Sequence, residues 1–400
     1  MQFQWYNFSV GTTWWEWVLL LAPVATLLLS IPYFLSVSRP RRRAEAYEPA
    51  APGTREGISV IVYCREDAAS LSRLLGTLMN QDYEGEYEVI IVSDGRPDAT
   101  SDVYNSLAIK HKNLYLTFVP DEAHNISRRK LAITLGVKAA HYPIILCTEA
   151  DAVVTKGWVR SVAECFDKDT QVVITPVSPL ELWGSGLPEA VRTLDAASGT
   201  VIYLDSALTG RPYRGNSYSL AYRKQLFISH KGFSRSLTLH YGDDDIFVSE
   251  IATSENTRVA LGSDSLVRLG WSNPQRAFRE SKLRRSFTEK GLGRRARLIA
   301  GSGPMLAWTG VLSAVGSIVA EALTGGGVLT SIAVALVAMT AYMAAAAMTW
   351  RGTLEMLGLK IAGILVAPAI LIRPLYNAAY GVASRKTRTR NYTWGNSVRK

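Results

Sequence analysis

Apolar and polar residues fall into three regimes along the chain. Residues 17–37, WVLLLAPVATLLLSIPYFLSV, carry no charge. About 20 apolar residues cross a bilayer core, so this run predicts a membrane-spanning helix. Trp14, Trp15 and Trp17 stand at its start as an interfacial belt, and Arg39, Arg41, Arg42 and Arg43 follow it. By the positive-inside rule those arginines keep the next part in the cytoplasm. The long apolar run with no Lys or Arg ahead of it differs from a signal peptide. Two further uncharged runs, 299–320 and 322–350, flank Glu321 and Gly325-Gly326-Gly327 and predict a transmembrane hairpin. Their Gly and Ala content suits closely packed helices in lipid. A last apolar piece, Ile361–Ile372, lies between Lys360 and Arg373 and holds Pro368. It is short for a span, so an interfacial or re-entrant segment is expected, with a fourth span as the alternative.

The segment between these runs alternates in period. Ile58–Tyr63 is a β-branched run, and Asp67–Asn80 has helical spacing with Leu71, Leu74, Leu75 and Leu78 on one face. Tyr87–Ser93 and Leu114–Val119 read as strands, Ser127–Ala140 as a helix capped by Ser127 or Asn125, and Ile144–Cys147 and Val172–Thr175 as further strands. This alternation predicts an α/β fold, a largely parallel sheet with helices on both faces. Ligands of such sheets bind beyond the carboxyl ends of the strands. The expected organisation is an anchor (1–38), a linker (39–56), a cytoplasmic α/β domain (57–297), a transmembrane hairpin (298–350), and an interfacial segment with a basic tail (351–400).

Composition narrows the function. With 48% hydrophobic and 20% charged residues over 400 positions, a disordered chain is excluded. Cys64, Cys147 and Cys165 are too few and scattered for a disulfide scaffold or a zinc site. A net charge of +10 leaves nucleic acid, a membrane surface or an anionic substrate. Nine Lys or Arg lie between Trp271 and Arg297, directly before an apolar run. That position favours membrane lipids and a diphosphate as partners, and no nucleic-acid module is visible.

Four places at strand or helix ends carry candidate chemistry. Asp94, before a turn glycine, can accept from a ribose or base, or is a plain Asp-Gly turn. Glu149 and Asp151 follow YPIILC. Two carboxylates so close call for a counter-charge, and Mg²⁺ or Mn²⁺ supplies one; a solvated acidic loop is the other reading. Arg128, Arg129 and Lys130 open a helix, where cations oppose the helix dipole unless an anion lies near. Asp243, Asp244 and Asp245 precede a helix start. Capping accounts for one or two of them, and a general base for another.

The order of these features resembles the membrane-bound inverting glycosyltransferases of family 2, the superfamily of cellulose and hyaluronan synthases and smaller polysaccharide glycosyltransferases. The resemblance covers roughly residues 57–297 and the flanking spans. It rests on ISVIVYCREDAASLSRLLGTLMNQDY, VSDG, RRKLAITLGVKAA, Glu149-Ala150-Asp151 at the DxD position, RGNSYSLAYRK with its "AYR" helix start, and GDDD. At the QxxRW position, Ser281–Arg285 keeps the Arg as Arg284 and lacks the Gln and Trp. The resemblance implies a GT-A fold and a hexosyltransferase in a cell membrane, inner or plasma, multi-pass, with a cytoplasmic catalytic domain. It implies that Asp244 is the base, Asp151 the metal ligand, and Asp94, Lys130, Glu149, Asp243 and Arg284 substrate contacts. The cofactor it implies is Mg²⁺ or Mn²⁺. The donor would be a UDP- or GDP-sugar, and the acceptor a glycan or lipid-linked molecule. A homo-oligomer or an export partner is a further expectation. The alternatives are a processive polysaccharide synthase that extrudes its product, and an inactive membrane scaffold of the same fold.

Overall fold

A computed structural model describes residues 14–47, 55–65, 67–94, 98–120, 126–179, 186–239, 241–271, 274–288, 294–324 and 328–386. Helices α1 (Trp14–Leu29) and α2 (Ile31–Glu45) come first. The α/β region then runs β1 (Ile58–Cys64), α3 (Ala68–Leu78), β2 (Tyr87–Ser93), α4 (Asp98–Ala108), β3 (Leu114–Phe118), α5 (Arg128–Ala139) and β4 (Ile144–Glu149). It continues through β5 (Ala152–Val153), α6 (Trp158–Ala163), β6 (Val172–Ile174), β7 (Val177–Pro179), α7 (Leu187–Leu208), β8 (Leu220–Arg223), α8 (Lys224–Ser229) and α9 (Asp245–Ile251). After β9 (Thr257–Val259), β10 (Val267–Leu269) and α10 (Pro274–Thr288) come three long helices, α11 (Arg294–Thr324), α12 (Val328–Met356) and α13 (Gly363–Lys386).

Seven strands form one sheet in the order β3-β2-β1-β4-β8-β6-β9, and β5-β10-β7 form a second. The first is parallel except at β8, which runs against both β4 and β6. Every residue of β1 is buried, as expected where helices cover both faces of a parallel strand. Asp67 caps α3 by accepting from the Ser70 amide at 3.1 Å, and Leu71, Leu74, Leu75 and Leu78 bury its inner face. Ser127 caps α5; Asn125 lies outside the described residues. The "AYR" residues, expected to start a helix, form the strand β8, and α8 opens after them at Lys224.

Among the described residues, four stretches are long and apolar enough to cross a membrane: Leu20–Glu45, Met305–Leu323, Val328–Met356 and Gly363–Val382. The last differs from the expected twelve-residue segment. Arg373 was read as its boundary, but the Arg373 side chain is buried and donates to Ser198 Oγ at 2.6 Å, so the helix continues past it. A third core joins these helices to the α/β region. Ala190, Val191, Leu194, Ala197 and Val201 of α7 cluster with Phe34, Val37, Tyr342, Trp350, Val366 and Ile370.

Candidate active site

Strand register assembles the site. Cys64 pairs with Ser93, and Tyr63 with Glu149, so β1, β2 and β4 end side by side. Asp94 and Glu149 thus stand two strand spacings apart, about 10 Å. Because β8 runs antiparallel to β4, the turn before it brings Ser217 and Tyr218 to the same edge. Ser217 donates to Glu149 at 3.1 Å and the Tyr218 hydroxyl to Asp151 at 3.2 Å. Gly270 donates its amide to the Asp151 carbonyl at 2.8 Å and holds that loop against the second sheet.

The basic start of α5 meets carboxylates and carbonyls of this same chain. Arg128 Nε donates to Asp94 at 2.6 Å, and the Tyr63 hydroxyl donates to the other Asp94 oxygen at 2.6 Å. Arg129 lies over the Tyr63 ring and is shared by Asp243 at 2.6 Å and Glu149 at 2.9 Å. Sequence reading sent Lys130 to a diphosphate. The structure instead buries it completely and engages its ammonium with the carbonyls of Ser236 and Tyr241, at 2.6 and 2.9 Å. Burial lowers its pKa to about 8.

The acid triplet resolves into three roles. It follows Gly242, whose φ of +97° suits only glycine and whose missing Cβ leaves room for Ile246. Asp243 holds Arg129; burial opposes its charge, but the guanidinium wins and keeps the pKa below the ordinary value. Asp245 binds Arg214 through both oxygens, at 2.6 and 2.7 Å, and accepts from Thr288 at 2.6 Å. Asp244 caps α9, accepting from the Asp245 amide at 3.0 Å and the Ser217 amide at 3.3 Å. Among the described residues no cation forms an ion pair with it. Burial, then the Asp245 and Asp243 carboxylates, raise its pKa to about 7. One guanidinium neutralises one acid, so Glu149 is left the poorer partner of Arg129, and burial pushes it up to about 8. Burial also lifts Asp151 to about 6.

Asp243, Asp244, Asp245, Ser217, Tyr218, Trp271 and Arg284 line one open-mouthed cleft. The Arg284 guanidinium lies 5.6 Å from the Tyr241 ring centre, and burial lowers its pKa. Glu149 joins the cleft through Ser217, and Asp151 through Tyr218, while Asp151 also faces a second hollow beside Ser70 and Arg73. Asp94 and Lys130 are buried and do not line this cleft. Sequence reading missed Tyr63, Ser217, Tyr218 and Asp195. Asp195 left a signal: it is an acid among small and apolar residues in the run TLDAASG.

Comparison with known proteins bears on this arrangement. Residues 59–191 match the model for Glycosyl transferase family 2. The poly-beta-1,6-N-acetyl-D-glucosamine synthase of Staphylococcus epidermidis is 26% identical over 170 residues, 42% of this chain and 39% of that one. The synthase of the same name from Staphylococcus aureus strain COL is 27% identical over 143 residues, 36% of this chain and 33% of that one. The matches therefore span well under half of these relatives' length. Among solved structures, the mannosyltransferase PcManGT of Pyrobaculum calidifontis, in complex with GDP-Man and Mn²⁺, superposes with a TM-score of 0.52 at 19% identity, over 90% of this chain and 97% of that one. The chain therefore carries a Glycosyl transferase family 2 domain, matched over residues 59–191, in a GT-A fold flanked by apolar helices.

Proposed function

We propose that this chain is an inverting glycosyltransferase. It would move a sugar from a nucleoside-diphosphate donor to a membrane-associated glycan or lipid-linked acceptor, with Asp244 as general base. The charge pattern of the acid triplet carries this reading. Asp243 and Asp245 are each neutralised by an arginine, and Asp244, between them, holds none among the described residues. A carboxylate with a pKa of about 7 in an open cleft is suited to take a proton at neutral pH. The acceptor hydroxyl oxygen bonds to the anomeric carbon as the bond to the diphosphate breaks on the opposite face. The hydroxyl proton passes to Asp244, and the configuration inverts in one step. Arg284 stabilises the departing charge, and Asp94, fixed by Tyr63 and Arg128 at the end of β2, would be the acid on the nucleoside side.

Asp151 fits a divalent metal. It is a buried carboxylate with no ion pair among the described residues, raised in pKa by that burial. The described residues contain no cluster of three potential metal ligands. That suits an ion held by one or two carboxylates and otherwise by donor phosphates, as Mg²⁺ commonly is. Mg²⁺ or Mn²⁺ on Asp151, with Glu149 beside it, would supply charge neutralisation for the diphosphate. The mannosyltransferase neighbour with GDP-Man and Mn²⁺ supports the donor and metal class. The arginines after the first apolar stretch support a cytoplasmic domain.

Polymer synthesis is a second reading, favoured by the name of the curated relatives. Product length separates it from single transfer. The test of the main reading is a screen of UDP- and GDP-sugars on the full-length protein in detergent, with and without Mn²⁺, reading nucleotide release. One donor should turn over in a metal-dependent way. Failure of every donor to bind or react would remove the reading.

A further inference from the structure

The cleft changes character where α7 and α10 meet the apolar helix α13. Asp195 is the acid on this wall. Lys282 donates to both its oxygens, at 2.7 and 2.6 Å, and Arg373 Nε stands 3.4 Å from one of them. Arg373 Nε is buried and makes no hydrogen bond. Arg285 completes the wall. Among the described residues its side chain makes no hydrogen bond and no ion pair. Its Nη1 occupies a notch over Gly199, where an added Cβ would sit 2.2 Å from it. Three cations thus face one carboxylate in a largely buried setting. Uncompensated charge so placed is costly, and an anionic ligand is the natural complement. The free guanidinium offers the planar fork of donors that matches a phosphate.

Building on the transferase reading, we propose that the acceptor carries a phosphate group, held by Arg285 in the field of Lys282 and Arg373 at the membrane end of the cleft. The phosphate is a handle and not the nucleophile. It places a hydroxyl of the same acceptor toward Asp244, and that hydroxyl forms the new bond and loses its proton. Phosphate on a lipid and phosphate on a soluble sugar share this chemistry.

The test is direct binding to the full-length protein in detergent micelles, by titration calorimetry, with two matched pairs. Farnesyl phosphate is compared with farnesol, and glucose 6-phosphate with glucose. The phosphorylated member of at least one pair should bind about tenfold or more tightly, the size of effect a charge-assisted hydrogen bond gives. Preference in the first pair alone identifies a lipid source; preference in the second, a soluble one. Arg285→Ala should bring each pair to within about twofold, and Arg285→Lys should keep part of the preference. Gly199→Ala, whose methyl displaces the guanidinium without altering charge, should act like Arg285→Ala and guards against a misfolded variant. Equal binding within both wild-type pairs, or a preference that survives both substitutions, overturns the proposal. Because the readout is binding, a protein that binds phosphate but releases no nucleotide would sink the transferase reading alone.

Discussion

Asp244→Asn removes the proposed base and also relieves a crowd of like charges, so it should weaken catalysis and strengthen the fold together. Catalysis requires the ionised form. With a pKa of about 7, wild-type kcat/KM should climb with pH, to about a tenth of its plateau near pH 6 and half near pH 7. A positioned base contributes about 10²–10⁴-fold, so the Asn variant should lose that much and lose the climb with it. The stability effect has a definite sign. The folded pKa lies above the ordinary 3.8, so the group's contribution is full below about pH 3.8, falls as pH rises, and is gone above about 7. At about 1.36 kcal/mol per pH unit, the difference reaches at most about 4 kcal/mol. Asn still offers an oxygen to the Asp245 amide and remains a good cap. The variant should therefore melt higher than wild type near pH 8 and lose that advantage near pH 4. The assays are nucleotide release and thermal melting, each across pH. Turnover by the variant within tenfold of wild type, or a flat wild-type pH profile, would refute the reasoning.

Asp151→Asn should abolish any tightening of UDP or GDP binding by Mn²⁺, and chelation should do the same to wild type; nucleotide titrations with and without metal check both. Arg129→Met leaves Glu149 and Asp243 buried without their shared counter-charge, and should cost about 3–5 kcal/mol by denaturant melting. A melt that matches wild type would show that the pair is not what holds α5 to the acid triplet. Gly242→Ala should cost about 1–2 kcal/mol for its left-handed backbone alone, with a larger loss of kcat as Asp244 shifts against Ile246.

The sheet was legible because its strands are continuous β-branched runs between turn signals. Tyr87–Ser93 occupies the residues expected for it; Asp94 and Asp151 stand just past strand ends, and Glu149 is the last residue of β4, which runs two residues further than expected. What the residues do to one another was hidden. Arg129 and Asp243 lie 114 positions apart, and no local pattern announces their pairing. Sequence proximity suggested that three adjacent aspartates act alike, whereas distant arginines sort them into two ion-paired acids and one without a cation. The basic start of α5 implied a missing anion, and the anions proved to be the protein's own. Arg373 looked like the end of an apolar run because its partners, Asp195 and Ser198, are contributed by a helix nearly two hundred residues earlier.

Helix α7 is moored at two points, by Arg39 to Asp205 near its C-terminal end and by Arg373 to Asp195 near its middle, and its apolar face belongs to the third core. A water-soluble fragment trimmed before Arg294 would keep the seven-stranded sheet intact and yet report falsely on the enzyme. Its α7 would be left greasy on one side, and Asp195 would answer to Lys282 without Arg373. Biochemistry on such a piece would measure a scaffold whose floor has come adrift, so only the intact polypeptide in a lipid-like medium is a fair sample.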